Sequence, residues 1–170
     1  MNKNIVLIGM PGSGKTIIGK VVAKRLSMSF IDMDEMIEKK EGKVISEIFD
    51  SGEEYFRNLE TNCVKELTNK SFEVISTGGG IVKRKENIDL LKINSIIIFI
   101  NRSPDSIASD VDIQKRPLLK NGIDSVYKIY NERIHLYKKY CDLEILNDET
   151  IESAVNKVVN FITKMWFHKT

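Results

Sequence analysis

The residues of this chain whose types and spacing most clearly specify chemistry lie at positions 9–16, which read G-M-P-G-S-G-K-T. This stretch matches the phosphate-loop pattern G-x-x-x-x-G-K-[ST], in which backbone N–H groups cradle the phosphates of a nucleotide. Lys15 is placed to reach the β- and γ-phosphates, and the hydroxyl of Thr16 is placed to coordinate Mg²⁺. The sequence therefore predicts a site for a nucleoside triphosphate with Mg²⁺.

The segments around this loop are those that the motif needs in order to work. Residues 5–8 form a short β-branched apolar run, typical of a buried strand, and residues 17–26 carry apolar side chains at helical spacing. A helix that begins at the loop adds its positive N-terminal end to the phosphate site. These flanks argue against the alternative, a chance match in a Gly-rich turn.

Further strand-like segments alternate with helical ones along the chain. The strands are predicted at 29–32, 72–77, 95–100 and 143–146, and the clearest helices at 53–69, 124–139 and 150–165. Ser51 with Glu54 resembles a capping box that would start the first of these helices. The alternation predicts an α/β fold of three layers (αβα) around a five-stranded parallel sheet, with ligands at the carboxyl ends of the strands.

Length, charge and cysteine usage restrict what such a site can belong to. The 170 residues suit one domain, and a net charge of +2 favours neither nucleic acid nor a membrane surface as a partner. Cys63 and Cys141 lie far apart, which favours buried thiols over a disulfide or a metal site. The sequence shows no signal peptide, no membrane-length apolar run and no self-association stripe, so we expect a cytoplasmic monomer.

Several further motifs occur in one order and make the chain resemble bacterial shikimate kinases from residue 4 to about residue 165. They are Asp32-x-Asp34, Phe56-Arg57-x-x-Glu60, Gly78-Gly79-Gly80, Arg116-Pro117-Leu118-Leu119 and Arg133-x-x-x-Tyr137. The resemblance implies the P-loop NTPase fold, with a short substrate-binding region at about 33–61 and a mobile lid at about 108–121. It also implies transfer of the γ-phosphoryl group of ATP to the 3-hydroxyl of shikimate, with Mg²⁺, on the chorismate route to aromatic amino acids.

The resemblance assigns roles to individual residues. ATP would be bound by Gly12, Ser13, Gly14, Lys15, Thr16, Ile17 and Arg116, and shikimate by Asp34, Arg57, Gly78, Gly79, Gly80 and Arg133. Thr16 and Asp32 would hold Mg²⁺, and the catalytic residues would be Lys15, Asp34 and Arg116. The chemistry of arginine supports Arg57 and Arg133 as carboxylate ligands, because a planar guanidinium can donate two parallel hydrogen bonds to a carboxylate and lysine cannot. Glu60 would hold Arg57 in position.

Each of these assignments has a structural alternative. Asp32 and Asp34 could be ordinary acids at the start of a helix, where negative charge is favourable. Arg57 could face solvent, and the triple glycine could be a flexible turn. Arg133 could form a structural ion pair, and the polar stretch 106–121 could be a solvated loop instead of a lid.

One position departs from the family pattern. Shikimate kinases commonly carry an arginine seven residues before the lid Arg-Pro, where it stacks on adenine, but here Ser109 stands there, followed by Asp110. Loss of such a contact is worth about 1 kcal/mol. We therefore predict a weaker or differently built adenine site, using Arg102 or residues near Asn147.

Two other classes of function compete with this reading. Another small-molecule P-loop kinase, for gluconate or a nucleoside monophosphate, shares the phosphate loop but has no need for the pairing of Asp34 with Arg57. A non-catalytic nucleotide-binding homologue would be expected to lack Lys15, Asp34 or the lid arginine, and all three are present.

Overall fold

A computed structural model describes residues 3–110 and 123–167 of the chain. All five predicted strands form, each within one residue of its predicted ends. They are β1 (Asn4–Ile8), β2 (Ser29–Asp32), β3 (Glu73–Ser76), β4 (Ser95–Asn101) and β5 (Leu143–Leu146).

The strands form one parallel sheet in the order β2-β3-β1-β4-β5. The central strand β1 leads directly into the phosphate loop, so the loop lies between the ends of β3 and β4. The register pairs Asp32 with Ser76 at the carboxyl edge. Asp32 and the segment after β3 are therefore neighbours in space, although Asp32 and Ser76 are 44 positions apart in the sequence.

The helices follow the strands, as a parallel sheet requires. In the described residues they are α1 (Lys15–Leu26), α2 (Met33–Glu41), α3 (Ile45–Asp50), α4 (Glu53–Leu67), α5 (Lys85–Ile93), α6 (Pro104–Asp110), α7 (Ile123–Tyr140) and α8 (Ile151–Phe167), with a short 3₁₀ helix at Ile81–Lys83. The predicted helices at 17–26, 53–69, 124–139 and 150–165 correspond to α1, α4, α7 and α8. Most of the predicted lid, including Arg116, lies outside the described residues.

The sheet separates two hydrophobic cores. Along β1, Ile5 and Leu7 face one core while Val6 and Ile8 face the other, because side chains alternate along a strand. The first core is closed by α1 and α8, and the second by α2 to α5 and α7. This arrangement is the three-layer architecture that the sequence predicts.

The predicted capping box at Ser51 is wrong. Ser51 closes α3, since its N–H donates to carbonyl oxygens of that helix, and α4 begins after Gly52. The φ of Gly52 is 113°, a left-handed value that favours glycine, and it turns the chain from α3 into α4. The carboxylate of Glu54 pairs instead with Arg84.

The two cysteines differ in burial. Cys63, on α4, is buried in the core, as predicted, whereas Cys141 is only partly buried. Both are free thiols. Within residues 3–110 and 123–167, no helix is long and apolar enough to cross a bilayer.

Candidate active site

A cleft of about 840 Å³ opens at the carboxyl edge of the sheet. The predicted site residues that line it are Gly12, Gly14, Lys15, Thr16, Ile17, Asp32, Asp34, Arg57, Gly78, Gly79 and Gly80. Ser13 and Arg133 are buried outside this lining set, and Arg116 lies outside the described residues. The fold thus brings the phosphate loop and most of the predicted acceptor residues into one cavity.

The phosphate loop owes its shape to two glycines and to an asparagine from β5's end. Gly12 and Gly14 have φ values of 84° and 95°, which only glycine adopts without strain. The side-chain amide of Asn147 donates to the carbonyl of Ser13 at 2.9 Å. A Cβ on Gly14 would lie 2.8 Å from that amide, so the close approach of Asn147 also requires glycine.

Lys15 is held inward over its own loop. Its Nζ donates to the carbonyl oxygens of Gly9 at 2.9 Å and Met10 at 2.8 Å, and the residue is buried. It is also the first residue of α1, whose positive end points to the same space. Two sources of positive potential therefore converge where the phosphates of a nucleotide would bind.

Asp32 caps α2 and also contacts the phosphate loop. One carboxylate oxygen caps α2 by accepting from the N–H of Asp34 at 3.0 Å, so the helix-capping alternative is correct. The other oxygen accepts from the Thr16 hydroxyl at 2.7 Å. A carboxylate and a hydroxyl side by side at the phosphate loop are hard oxygen ligands of the kind that Mg²⁺ prefers, and Mg²⁺ completes its shell with water and phosphate.

Asp34 lies in the first turn of α2 and faces the glycine segment. A Cβ on Gly78 would be 3.1 Å from its Oδ1 and 2.7 Å from Oε1 of Glu60. Asp34 lines the same cleft as the phosphate loop and Arg57. A carboxylate in that position can accept a hydrogen bond from a hydroxyl of a bound acceptor.

Arg57 is a buried cation that lines the cleft. It is only 4% exposed, which excludes the alternative of a solvent-facing helix residue. Its Nη1 donates to Glu60 at 2.5 Å, and Nε and Nη2 donate to Glu53 at 3.2 and 3.0 Å. The rings of Phe49 and Phe56 lie 5.9 and 5.3 Å from its guanidinium carbon. Glu60 thus holds Arg57, as the sequence suggested.

The ionisation of Arg57 and that of Glu60 depend on each other. Burial works against the charge of Arg57, but Glu60 and Glu53 together outweigh it and raise the pKa of the guanidinium. Burial raises the pKa of the Glu60 carboxyl, and the neighbouring guanidinium opposes that rise. Arg57 thereby stays positively charged although it is buried. Because water screens charges weakly at such a place, its attraction for an anionic ligand would be strong.

The triple glycine is required by close packing and is not a flexible turn. A Cβ on Gly80 would overlap the guanidinium of Arg57, and a Cβ on Gly79 would lie 2.5 Å from the Pro11 ring. Pro11 belongs to the phosphate loop, so the glycines let the two halves of the cleft approach each other. All three glycines line the cleft.

Arg133 supports the glycine segment from α7. Its Nη1 donates to the carbonyl of Gly79 at 3.2 Å, and the Tyr137 hydroxyl donates to the same oxygen at 2.5 Å. The described residues form no ion pair with Arg133 within salt-bridge distance, which disfavours the alternative of a structural ion pair. Its predicted contact with a ligand carboxylate stays a prediction.

The predicted adenine end of the cleft is lined by Arg102, Asn147, Glu149 and Ile151. Arg102 Nη1 lies 3.4 Å from the carbonyl of Gly12. Ser109 donates its hydroxyl to the carbonyl of Ser106 within α6. Arg102 and Asn147, which the sequence suggested as substitutes for the missing stacking arginine, therefore both border the phosphate loop.

Some residues that line the cleft are not predicted from the sequence. Ile45 and Phe49 reach the cleft from α3, and Glu38 reaches it from α2. Helix α3 has only six residues, too few to show a helical period. Phe49 and Phe56 are in ring contact, with centroids 4.6 Å apart, and they form an apolar wall beside Arg57.

A parallel sheet with a phosphate loop after its central strand, and a second binding half opposite, defines a P-loop kinase of small molecules. The chain belongs to the shikimate kinase family, whose sequence model, described as shikimate kinase, matches residues 11–163. It is accordingly an ATP-dependent kinase.

Individual relatives agree with this placement. A shikimate kinase from Clostridium beijerinckii is 48% identical over 162 residues, covering 95% of this chain and 96% of the relative. One from Clostridium botulinum is 47% identical, covering 95% of this chain and 98% of the relative. A solved shikimate kinase from Acinetobacter baumannii, in complex with shikimate, superimposes with a TM-score of 0.88 at 29% identity, covering 100% of this chain and 96% of that one.

Proposed function

We propose that this protein transfers the γ-phosphoryl group of ATP to the 3-hydroxyl of shikimate, giving shikimate 3-phosphate and ADP. The observation that carries the proposal is the buried cation Arg57, which faces the phosphate loop across one cleft. An acceptor with a carboxylate at one end and hydroxyls at the other matches that arrangement. A neutral sugar acceptor carries no carboxylate, so it would not use the guanidinium beyond its bonds to Glu53 and Glu60.

The residues divide the work between binding and chemistry. Arg57, Arg133 and the backbone of the glycine segment would bind the carboxylate end of shikimate. Asp34 would orient the attacking hydroxyl and accept its proton. Lys15 and Arg116 would stabilise the charge that develops on the transferred phosphoryl group, so that positioning and electrostatics provide most of the catalysis.

Mg²⁺ is the proposed metal, held by Thr16 and, through water, by Asp32. When bound, it would neutralise phosphate charge. The 2.7 Å contact between the Thr16 hydroxyl and the Asp32 carboxylate supports this assignment because it places two hard oxygen ligands together.

We further propose the organisation that the sequence predicted: one kinase domain over residues 1–170 with a substrate-binding region at about 33–61 and a lid at about 108–121. Helices α2 and α3 and the start of α4 occupy the first of these regions, and they carry Asp34 and Arg57. A monomeric state and a cytoplasmic location are also proposed, on the sequence arguments given above.

The test is ADP release from purified protein with Mg²⁺ and ATP across a panel of shikimate, quinate, gluconate and nucleoside monophosphates. We expect release with shikimate and little with gluconate or nucleoside monophosphates. Hydrolysis of ATP without acceptor should be slow, because a closed cleft excludes water. Absence of a response to shikimate would refute the proposal, and acceptor-independent binding with slow hydrolysis would favour a nucleotide-dependent switch.

A further inference from the structure

Arg57 donates hydrogen bonds to two glutamates of its own helix, and these bonds do not use all of its N–H groups. A guanidinium has five N–H groups. One on Nη1 goes to Glu60, and those of Nε and one of Nη2 go to a single oxygen of Glu53. The remaining two, one on Nη1 and one on Nη2, are taken by neither glutamate.

The second feature is a lysine that holds Glu53 from another element. Lys83 lies in the 3₁₀ helix that follows the triple glycine, and its Nζ is 2.7 Å from the same oxygen of Glu53 that Arg57 contacts. The hydrogen bond from Lys83 lowers the pKa of Glu53, although burial opposes it, so the carboxylate stays ionised. One oxygen thus accepts from three donors on two elements.

This pair stands behind Arg57 and outside the cleft. Neither Glu53 nor Lys83 belongs to the lining of the cavity, and Glu53 is 46% exposed. Any effect of the pair on a bound acceptor must therefore pass through the orientation or charge of Arg57.

We propose that Lys83 and Glu53 form a positioning pair, which occupies one edge of the Arg57 guanidinium so that the Nη1–Nη2 edge receives the acceptor carboxylate. The inference rests on the proposed function. Without Glu53, a carboxylate could bind either edge, and only one orientation would bring the acceptor hydroxyl to Asp34. Lys83 offsets the charge of Glu53, so the pair orients Arg57 without repelling an anionic acceptor.

The test is a steady-state and binding comparison of Glu53→Gln with the unaltered enzyme. We expect KM and Kd for shikimate to rise about five- to tenfold, the effect of weakening charge-assisted hydrogen bonds. We expect kcat and the KM for ATP to change little. A purely structural role would lower the melting temperature without this selective change in KM.

A matched control and a second variant sharpen the result. Glu54→Gln alters a neighbouring acid that is 83% exposed and pairs with Arg84, so it should leave the KM for shikimate unchanged. Lys83→Met should reproduce the effect of Glu53→Gln without altering α4. The double variant should be little worse than either single one, because the two residues act as one unit.

The outcomes separate this inference from the proposed function. If the unaltered enzyme does not respond to shikimate, the proposed function fails. If the enzyme responds but Lys83→Met and Glu53→Gln both keep its KM, the positioning pair is refuted while the function stands. Additive effects in the double variant would also refute it. Should Glu53→Gln not fold, Lys83→Met alone decides the question.

Discussion

At the scale of single residues, the acceptor half of the cleft is organised around one buried charge. Arg57 would be costly to bury alone, and Glu60 offsets that cost within the same helix at a distance of 2.5 Å. Gly80 leaves room for the guanidinium to lie against the backbone. The position therefore depends on the planar shape of arginine as well as on its charge.

Arg57→Lys tests this dependence on shape. Lysine keeps the charge but lacks the fork that binds two carboxylates and a ligand together, so we expect the KM for shikimate to rise at least tenfold, a loss of about 1.4 kcal/mol or more. The KM for ATP should change much less. Both constants are measured by following ADP release.

Arg25→Lys is the matched control, because Arg25 joins α1 to Glu152 and Asn156 on the opposite side of the sheet. It should leave both constants near their original values. Equal weakening of shikimate and ATP in Arg57→Lys would place Arg57 outside the acceptor site.

Asp34→Asn tests the proposed handling of the acceptor hydroxyl. The amide keeps the size of the side chain but is a poor proton acceptor, so we expect kcat to fall roughly a hundredfold or more. Glu35→Gln is the control, since Glu35 lies in the same helical turn but is exposed and faces Lys20. Near-normal turnover in Asp34→Asn would assign the hydroxyl to another group.

At the scale of elements, α7 positions the glycine segment. The Tyr137 hydroxyl and Arg133 both donate to the carbonyl of Gly79, and the Tyr137 ring stacks on Phe99 of β4 with centroids 5.0 Å apart. Burial raises the pKa of Tyr137, so its hydroxyl remains a hydrogen-bond donor at neutral pH.

Tyr137→Phe tests this link between α7 and the site. We expect the free energy of unfolding to fall by about 1 kcal/mol, since Arg133 still donates to the carbonyl, and the KM for shikimate to rise. Thermal or denaturant unfolding together with steady-state kinetics measures both. Tyr127→Phe alters the same helix and serves as the control, because the Tyr127 hydroxyl donates to Asp105 of α6; an equal effect there would show that the Tyr137 contact has no specific role.

The elements differ in how well the sequence predicts them. The run of isoleucines in β4 alternates between the two cores and is apolar on both faces. The sequence could therefore predict both the strand and its burial. Helix α3 was missed because it is short. The false capping box arose because Ser51 and Glu54 match a local pattern, whereas Ser51 ends α3 and the left-handed turn at Gly52 begins α4.

The same contrast applies to the candidate site. The phosphate loop and the resemblance together predicted most residues that line the cleft. Glu53 was missed, although it lies four residues before Arg57, as Glu60 lies three after, and these spacings share one helix face. The contact of Lys83 with Glu53 is not local, since it joins residues 30 apart, and only the fold reveals it.

At the scale of the whole molecule, the helices that position the cleft residues pack in two separate cores, one on each face of the sheet. The helix that follows the phosphate loop packs with α8 on one face, through residues such as Ile18 and Val158. The helices that carry Asp34 and Arg57 pack on the other face, through residues such as Met33 and Phe56. Within the residues that the structure describes, the two substrates would thus be held by halves that pack on opposite faces of the sheet.

This division has a consequence for redesign and for natural divergence. A change of acceptor can be sought by remodelling α2 to α4 within one core. The packing of α1, which supports the phosphate loop in the other core, would be left intact. Duplicated copies of such a chain could acquire new acceptors by the same route, each inheriting an unaltered phosphate donor site.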